Sequence, residues 1–255
     1  PIIIPQVKRV TNLDDLKQHI EQLGRYGEAT LKQAEKEKDE EKAEQFRTLI
    51  LQQAGEMIEQ YVRMRGNTNQ QEKFLHDGIF KESWEKHDYC LESETRNILI
   101  SGEYVWDEYQ NIQLDDWAAP TVQYCWALER EIKRRFYTPV KDQYTYKKDS
   151  QWTLGVIKSM YNDGHPSAND QNWQAFTGRA FTCGISEDIL IQQFVDPMVI
   201  QEKISDLRNM LAHGQRIDNT TASKLRDAIL GLRRQDGLLT WIARNIGPEV
   251  NKVAQ

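Results

Sequence analysis

The feature that most constrains this chain is the spacing of its apolar residues, which recur at three and four positions and seldom alternate at two. A 3.6-residue period buries one stripe per element, and stripes of that kind are buried by packing helix on helix. Asn12 is a fitting cap for a first helix carrying Leu13, Leu16, Ile20 and Leu23. A charged stretch from Glu35 to Glu44 follows, and Phe46, Leu49, Ile50, Ala54, Met57, Ile58, Tyr61 and Val62 resume the period. The two helices predict an N-terminal hairpin, and "RGNTNQQ" at 65–71 reads as a linker. Two units are therefore expected, an N-terminal helical hairpin over 1–70 and a helical bundle over 71–255. Within the bundle the pattern predicts helices around Trp84 to Leu99, Pro120 to Tyr137, Gln151 to Tyr161, Glu187 to Phe194, Pro197 to His213 and Thr221 to Ile246. Gly231 and Gly237 are expected to bend the last. "NDGHPSAND" at 162–170 is a turn, and His165 is read as a loop residue.

Composition narrows the classes of function. With 39% hydrophobic and 28% charged residues in 255, the chain has ample length for a core. No apolar run approaches a membrane span, so no membrane partner is expected. Cys90, Cys125 and Cys183 are odd in number, far apart and without histidines at ligand spacing. That pattern argues against a disulfide framework and a zinc site, so no metal or cofactor is expected and a cytoplasmic location is. Pro1 is not an initiator methionine and "PIIIPQ" does not resemble a signal peptide, so an upstream domain stays among the expectations. A net charge of −6 leaves nucleic-acid affinity to a local patch. One such patch runs from Arg130 through Lys133 and Arg134 to Lys148, interleaved with Phe136, Tyr137, Tyr144 and Tyr146. The competing reading of that patch is a solvated helix face.

The stretch "DPMVIQEKISDLRNMLAHG", 196–214, poses the sharpest question. Asp196 suits an N-cap, Pro197 a first helical position and Gly214 a left-handed end. At about 100° per residue, Ile200, Ile204, Leu207 and Leu211 share an arc of roughly 60° that is expected to face the core. Asn209 and His213 form an i, i+4 pair nearly opposite, and Arg208 lies about 80° from the stripe. A histidine at a helix C-terminus is also what the macrodipole favours without any function. On the earlier helix "PTVQYCWALEREIKRRF", Glu129 falls near the centre of an apolar face made by Val122, Cys125, Trp126, Ile132 and Phe136. A carboxylate there needs a partner, and Arg208 is the partner expected.

These residues resemble the HEPN family, named for nucleotide-binding domains of higher eukaryotes and prokaryotes. The resemblance is carried by "RNMLAHG", an arginine, a polar residue and then a histidine near a helix end. It is supported by "WALEREIKRRF", similar to an earlier family helix that often bears a glutamate, and by "WTLGVIKSM" at 152–160. It covers roughly residues 80–246 and implies an all-α, HEPN-like bundle. Many HEPN domains are metal-independent endoribonucleases acting as homodimers. The resemblance then implies that Arg208 binds the scissile phosphate, His213 acts as general acid or base, and Asn209 orients one of them, with Glu129 behind. Gln215 stands where some members carry a modified tyrosine, which sets that mode of control aside.

The leading expectation is an endoribonuclease that cuts single-stranded RNA by 2′-hydroxyl attack in a composite homodimer site. It is expected to serve as a toxin or as an effector of stress or antiviral defence, answering to an upstream or separate sensor or antitoxin. The alternative is a noncatalytic HEPN-like module that binds RNA, nucleotide or protein.

Overall fold

The computed structural model describes residues 12–36, 40–65, 91–112, 116–145, 152–162, 165–166, 170–212, 215–231 and 237–248. The fold is an all-helical bundle with an N-terminal hairpin. Helix α1 spans Leu13–Lys36 and α2 spans Glu40–Arg65. Asn12 opens α1 as its sequence predicts, with its side-chain oxygen accepting from the Asp15 amide at 2.8 Å. The boundary expected near 65–71 lies outside the described residues, apart from Arg65 at the end of α2.

Helix α3, Ser93–Ile112, runs well past the end expected at Leu99, because Val105, Trp106 and Tyr109 continue its buried face. Residues 84–90 of that expectation lie outside the described residues. Helix α4, Ala118–Ile132, is the centre of the bundle: every residue but Trp126 and Arg130 is buried. It passes without a break into a π-helical turn, Lys133–Tyr137, and a 3-10 segment, Thr138–Gln143. A helix enclosed on all sides must satisfy its polar side chains within the protein. Gln123 does so in part, its Nε2 donating to the Gly55 carbonyl of α2 at 3.2 Å while its buried Oε1 accepts no hydrogen bond, and Glu131 does so by accepting from Thr95, Arg134 and Arg135.

Helix α5, Leu154–Met160, leads into a two-residue antiparallel ladder in which Asn162 pairs with His165. His165 therefore belongs to a tight hairpin ladder rather than to an unpaired loop. Helix α6, Gln171–Phe181, was not expected from the apolar pattern. Its start is nonetheless capped conventionally, with Asp170 accepting from the amides of Asn172 and Trp173.

The segment that follows corrects the expected boundaries. Helix α7, Glu187–Leu190, continues as π-helical turns over Ile191–Val195 and Pro197–Gln201, so Asp196 is helical and does not cap a new helix. Pro197 offers no N–H and its ring crowds the preceding turn; the wider π turn accommodates both. The Glu202 amide returns to the Pro197 carbonyl at 2.9 Å, a five-residue bond. The true break comes at Lys203, whose φ of 49° is left-handed. Helix α8, Ile204–Ala212, starts afresh. Ile200, on the far side of the break, is 45% exposed and leaves the expected core stripe.

The last expected helix is two. Helix α9, Asn219–Leu230, ends on Gly231 at φ 73°, a left-handed position that glycine fills without strain, and α10 spans Leu238–Asn245. The end of α10 is closed by two buried guanidinium groups. Arg135 donates to the carbonyls of Ala243 and Ile246, and Arg179 to that of Gly247.

Candidate functional site

Helix α8 buries Ile204, Ser205, Arg208, Leu211 and Ala212. At 100° per residue these fill an arc of about 120° centred on Arg208, turned by about 70° from the stripe expected. The cause is the hairpin. Helix α2 and helix α1 pack on α8, and Gly27 of α1 comes so near that a Cβ there would lie 2.7 Å from the Ala212 carbonyl oxygen.

Arg208 is consequently 0% exposed. Its Nε donates to Glu129 Oε2 at 3.2 Å, its Nη1 to Asn209 Oδ1 at 3.3 Å and its Nη2 to Thr48 Oγ1 at 3.0 Å. The Glu129 side chain keeps 11% exposure, and its Oε2 also accepts from the Leu154 amide at 3.4 Å. The ion pair expected between α4 and α8 is thus present and joins α2, α4, α5 and α8 at one point. Cys125, one turn earlier on α4, is buried beside it. Burial pushes its thiol up to about 12, with the Arg208 charge acting downward and the Glu129 charge upward. Such a thiol stays protonated and unreactive near neutral pH.

Asn209 is half-buried at the edge of the covered arc, its side-chain oxygen held by Arg208. His213 and Gly214 lie outside the described residues. The structure therefore brings Arg208, Asn209 and Glu129 together and adds Thr48 from α2. Nothing in the sequence around Thr48 marks it, since it is one polar residue on an amphipathic helix, 160 positions from its partner.

The basic patch is drawn inward. Arg130 Nε donates to Glu92 at 3.1 Å and its Nη2 also meets Glu94, while Arg134 reaches Glu131 at 3.2 Å. Lys133 is half-buried. Phe136, Tyr137 and Tyr144 are fully buried, which corrects their reading as interleaved surface aromatics; Phe136 stacks on Phe176 and Phe194. Tyr146 and Lys148 lie outside the described residues.

Two further charged clusters were missed from sequence. Glu131 and Arg135 form a buried i, i+4 pair at 2.6 Å, a spacing that ordinarily signals an exposed helix face. Glu103 of α3 accepts from Tyr124 and binds Arg226 of α9 through two oxygens, with the Arg226 guanidinium 4.9 Å from the Trp106 ring centre. Burial and then Glu103 hold the Tyr124 phenol well above its usual range. Among the described residues no three His, Cys, Asp or Glu side chains are grouped to hold a metal ion, and no helix is long and apolar enough to cross a membrane. No protein-family model, curated protein or solved structure matches this chain.

Proposed function

We propose that this chain is a cytoplasmic, metal-independent endoribonuclease of the HEPN type that cuts single-stranded RNA in a site shared by two copies. The observation that carries this reading is the arrangement at α8. Asn209 stands at the accessible edge of the helix, fixed by Arg208, and His213 follows it by four positions in the sequence. The geometry also revises the roles. A guanidinium that is fully buried and neutralised by Glu129 does not reach a phosphate from outside, so Arg208 is a positioning residue that orients Asn209. His213 supplies the proton to the leaving 5′-oxygen, Asn209 donates a hydrogen bond to the phosphorane-like transition state, and the second copy contributes the base that takes the 2′-hydroxyl proton. The half-buried side of α8, formed by Asp206, Asn209 and Met210, is the side left for that copy.

The burial of Arg208 favours a second reading, a noncatalytic HEPN-like module that binds RNA, nucleotide or protein and uses the Arg208–Glu129 pair only as a clamp. One experiment separates them. The intact 255-residue chain is incubated with single-stranded RNA in EDTA, and the products are tested for a 2′,3′-cyclic phosphate. The first reading predicts cleavage that falls by about 10² to 10⁴-fold in His213→Ala with RNA affinity retained. RNA bound but left intact supports the module, and cleavage undiminished in His213→Ala removes the proposed mechanism.

A further inference from the structure

A phosphodiester that reacts beside Asn209 gathers negative charge on its non-bridging oxygens, and a positioned cation is what stabilises that charge. Arg208 is fully buried and spends its guanidinium on Glu129, Asn209 and Thr48. Arg130 is tied to Glu92 and Glu94, and Arg134 to Glu131. All three are engaged inside the chain, so the charge has to come from another side chain.

Lys158 of α5 stands where that cation is needed. Its Nζ donates to Asp206 of α8, and the two side chains are 43% and 41% exposed, so the pair is open to a ligand. At about 100° per residue, Asp206 lies about 160° from Arg208, on the side of α8 away from the buried arc. Residues three apart on a helix are neighbours, so the carboxylate that anchors Lys158 stands one turn from Asn209. The backbone beneath Lys158 is fixed as well. Leu154, Val156, Ile157 and Met160 of α5 are buried, the Leu154 amide donates to Glu129 at 3.4 Å, and the Leu154 carbonyl accepts from Ser205 of α8 at 3.3 Å. Lys158 and Asn209 are therefore carried by elements joined to each other and to the same carboxylate.

We propose that Lys158 is the phosphate-binding residue of the α8 site, held in place by Asp206, and that it supplies to the RNA phosphodiester the positive charge that Arg208 cannot. The substrate named here rests on the endoribonuclease reading. An ammonium has three donors, and Asp206 takes one, which leaves two for phosphate oxygens. A half-exposed ion pair is weak, so a phosphate can share the ammonium with the carboxylate or replace it. Lys158 moves no proton; His213 and the base of the second copy keep those roles.

The test uses the 255-residue chain and its variants Lys158→Gln, Lys158→Arg and Asp206→Asn, each checked for fold by circular dichroism. Affinity is measured by fluorescence anisotropy with a labelled single-stranded 2′-O-methyl RNA, which lacks the attacking hydroxyl, over a range of salt concentrations. Cleavage of the matching ribose RNA is followed in EDTA. Lys158→Gln is expected to weaken binding and slow cleavage by about tenfold, with the salt slope of log Kd reduced by about 0.7, and Lys158→Arg to restore both. Asp206→Asn removes a negative charge from beside the phosphate, so its affinity should equal or exceed the parent's. An ion pair that serves the fold alone predicts equal losses in Lys158→Gln and Asp206→Asn, and that result overturns the assignment. A parent that cleaves, with Lys158→Gln binding and cleaving undiminished, overturns it too and leaves the nuclease reading standing. A parent that binds without cleaving, with the Lys158→Gln loss still seen, removes the nuclease reading and keeps Lys158 as the phosphate ligand. A parent that binds no RNA overturns both.

Discussion

Glu129 and Glu131 stand two positions apart on α4 and are kept inside the protein differently. Glu131 accepts from Thr95, Arg134, Arg135 and the Glu92 amide, so several neighbours share its charge. Glu129 accepts from the Arg208 guanidinium at 3.2 Å and from the Leu154 amide at 3.4 Å. Glu129→Ala leaves a guanidinium in the core without its carboxylate and should destabilise the fold by about 3 kcal/mol. Chemical denaturation followed by circular dichroism measures this, and an unchanged midpoint would show that the pair contributes nothing. Cys125, beside the pair, carries a second expectation. With its thiol pushed up to about 12, the reactive thiolate is scarce at pH 8. Iodoacetamide should spare Cys125 in the native protein and label it after denaturation, as mass spectrometry of the peptides would reveal.

Among the elements, the break at Lys203 is the one with least support from its own residue type. A left-handed φ at a residue with a side chain costs about 1–2 kcal/mol, which glycine avoids at an entropic cost of about 0.5–1 kcal/mol. Lys203→Gly should therefore be neutral to about 1 kcal/mol stabilising. A clear loss of stability would mean that the lysine side chain contributes something its exposed position does not suggest. The same break explains where sequence reading stopped. Strong periodicity made the hairpin, α4 and the α9–α10 stripe legible, and Gly231 was visible as an interruption. The stop at Lys203 carries neither glycine nor proline, whereas Pro197, the obvious signal, is absorbed by a π turn. Helix α6 escaped notice because its apolar residues, Trp173, Phe176 and Ala180, sit directly after a turn-rich stretch.

For the whole molecule, the decisive fact is that the hairpin is part of the bundle. Phe46, Ile50, Met57, Ile58 and Val62 of α2 are all buried, each worth about 1.5–3 kcal/mol relative to exposure. Such a face is not lifted away to let RNA reach Arg208. Gly27→Ala tests the fit directly. The added methyl improves α1 as a helix by about 1 kcal/mol but meets the Ala212 carbonyl, which as backbone yields little. A net destabilisation of about 1–3 kcal/mol is expected, read from the thermal midpoint, and a stabilised variant would show α1 free to shift on α8. The partnership of Glu129 with Arg208 was legible in sequence because a carboxylate on an apolar face demands a cation. The covering of Arg208 was not, because no local pattern tells one helix which others will close over it.

That cover has a consequence for the order in which the protein can be made. Thr48 and Glu129 precede Arg208 by 160 and 79 positions, and all three meet at one point. A ribosome delivers the hairpin and α4 long before α8. Until then the Glu129 carboxylate waits beside Cys125 with its cation still unsynthesised, and the contacts that close the bundle must bridge most of the chain. Contacts that distant in sequence make folding slow, and the nascent chain is left with an open apolar seam that chaperones would be expected to shield until Arg208 arrives.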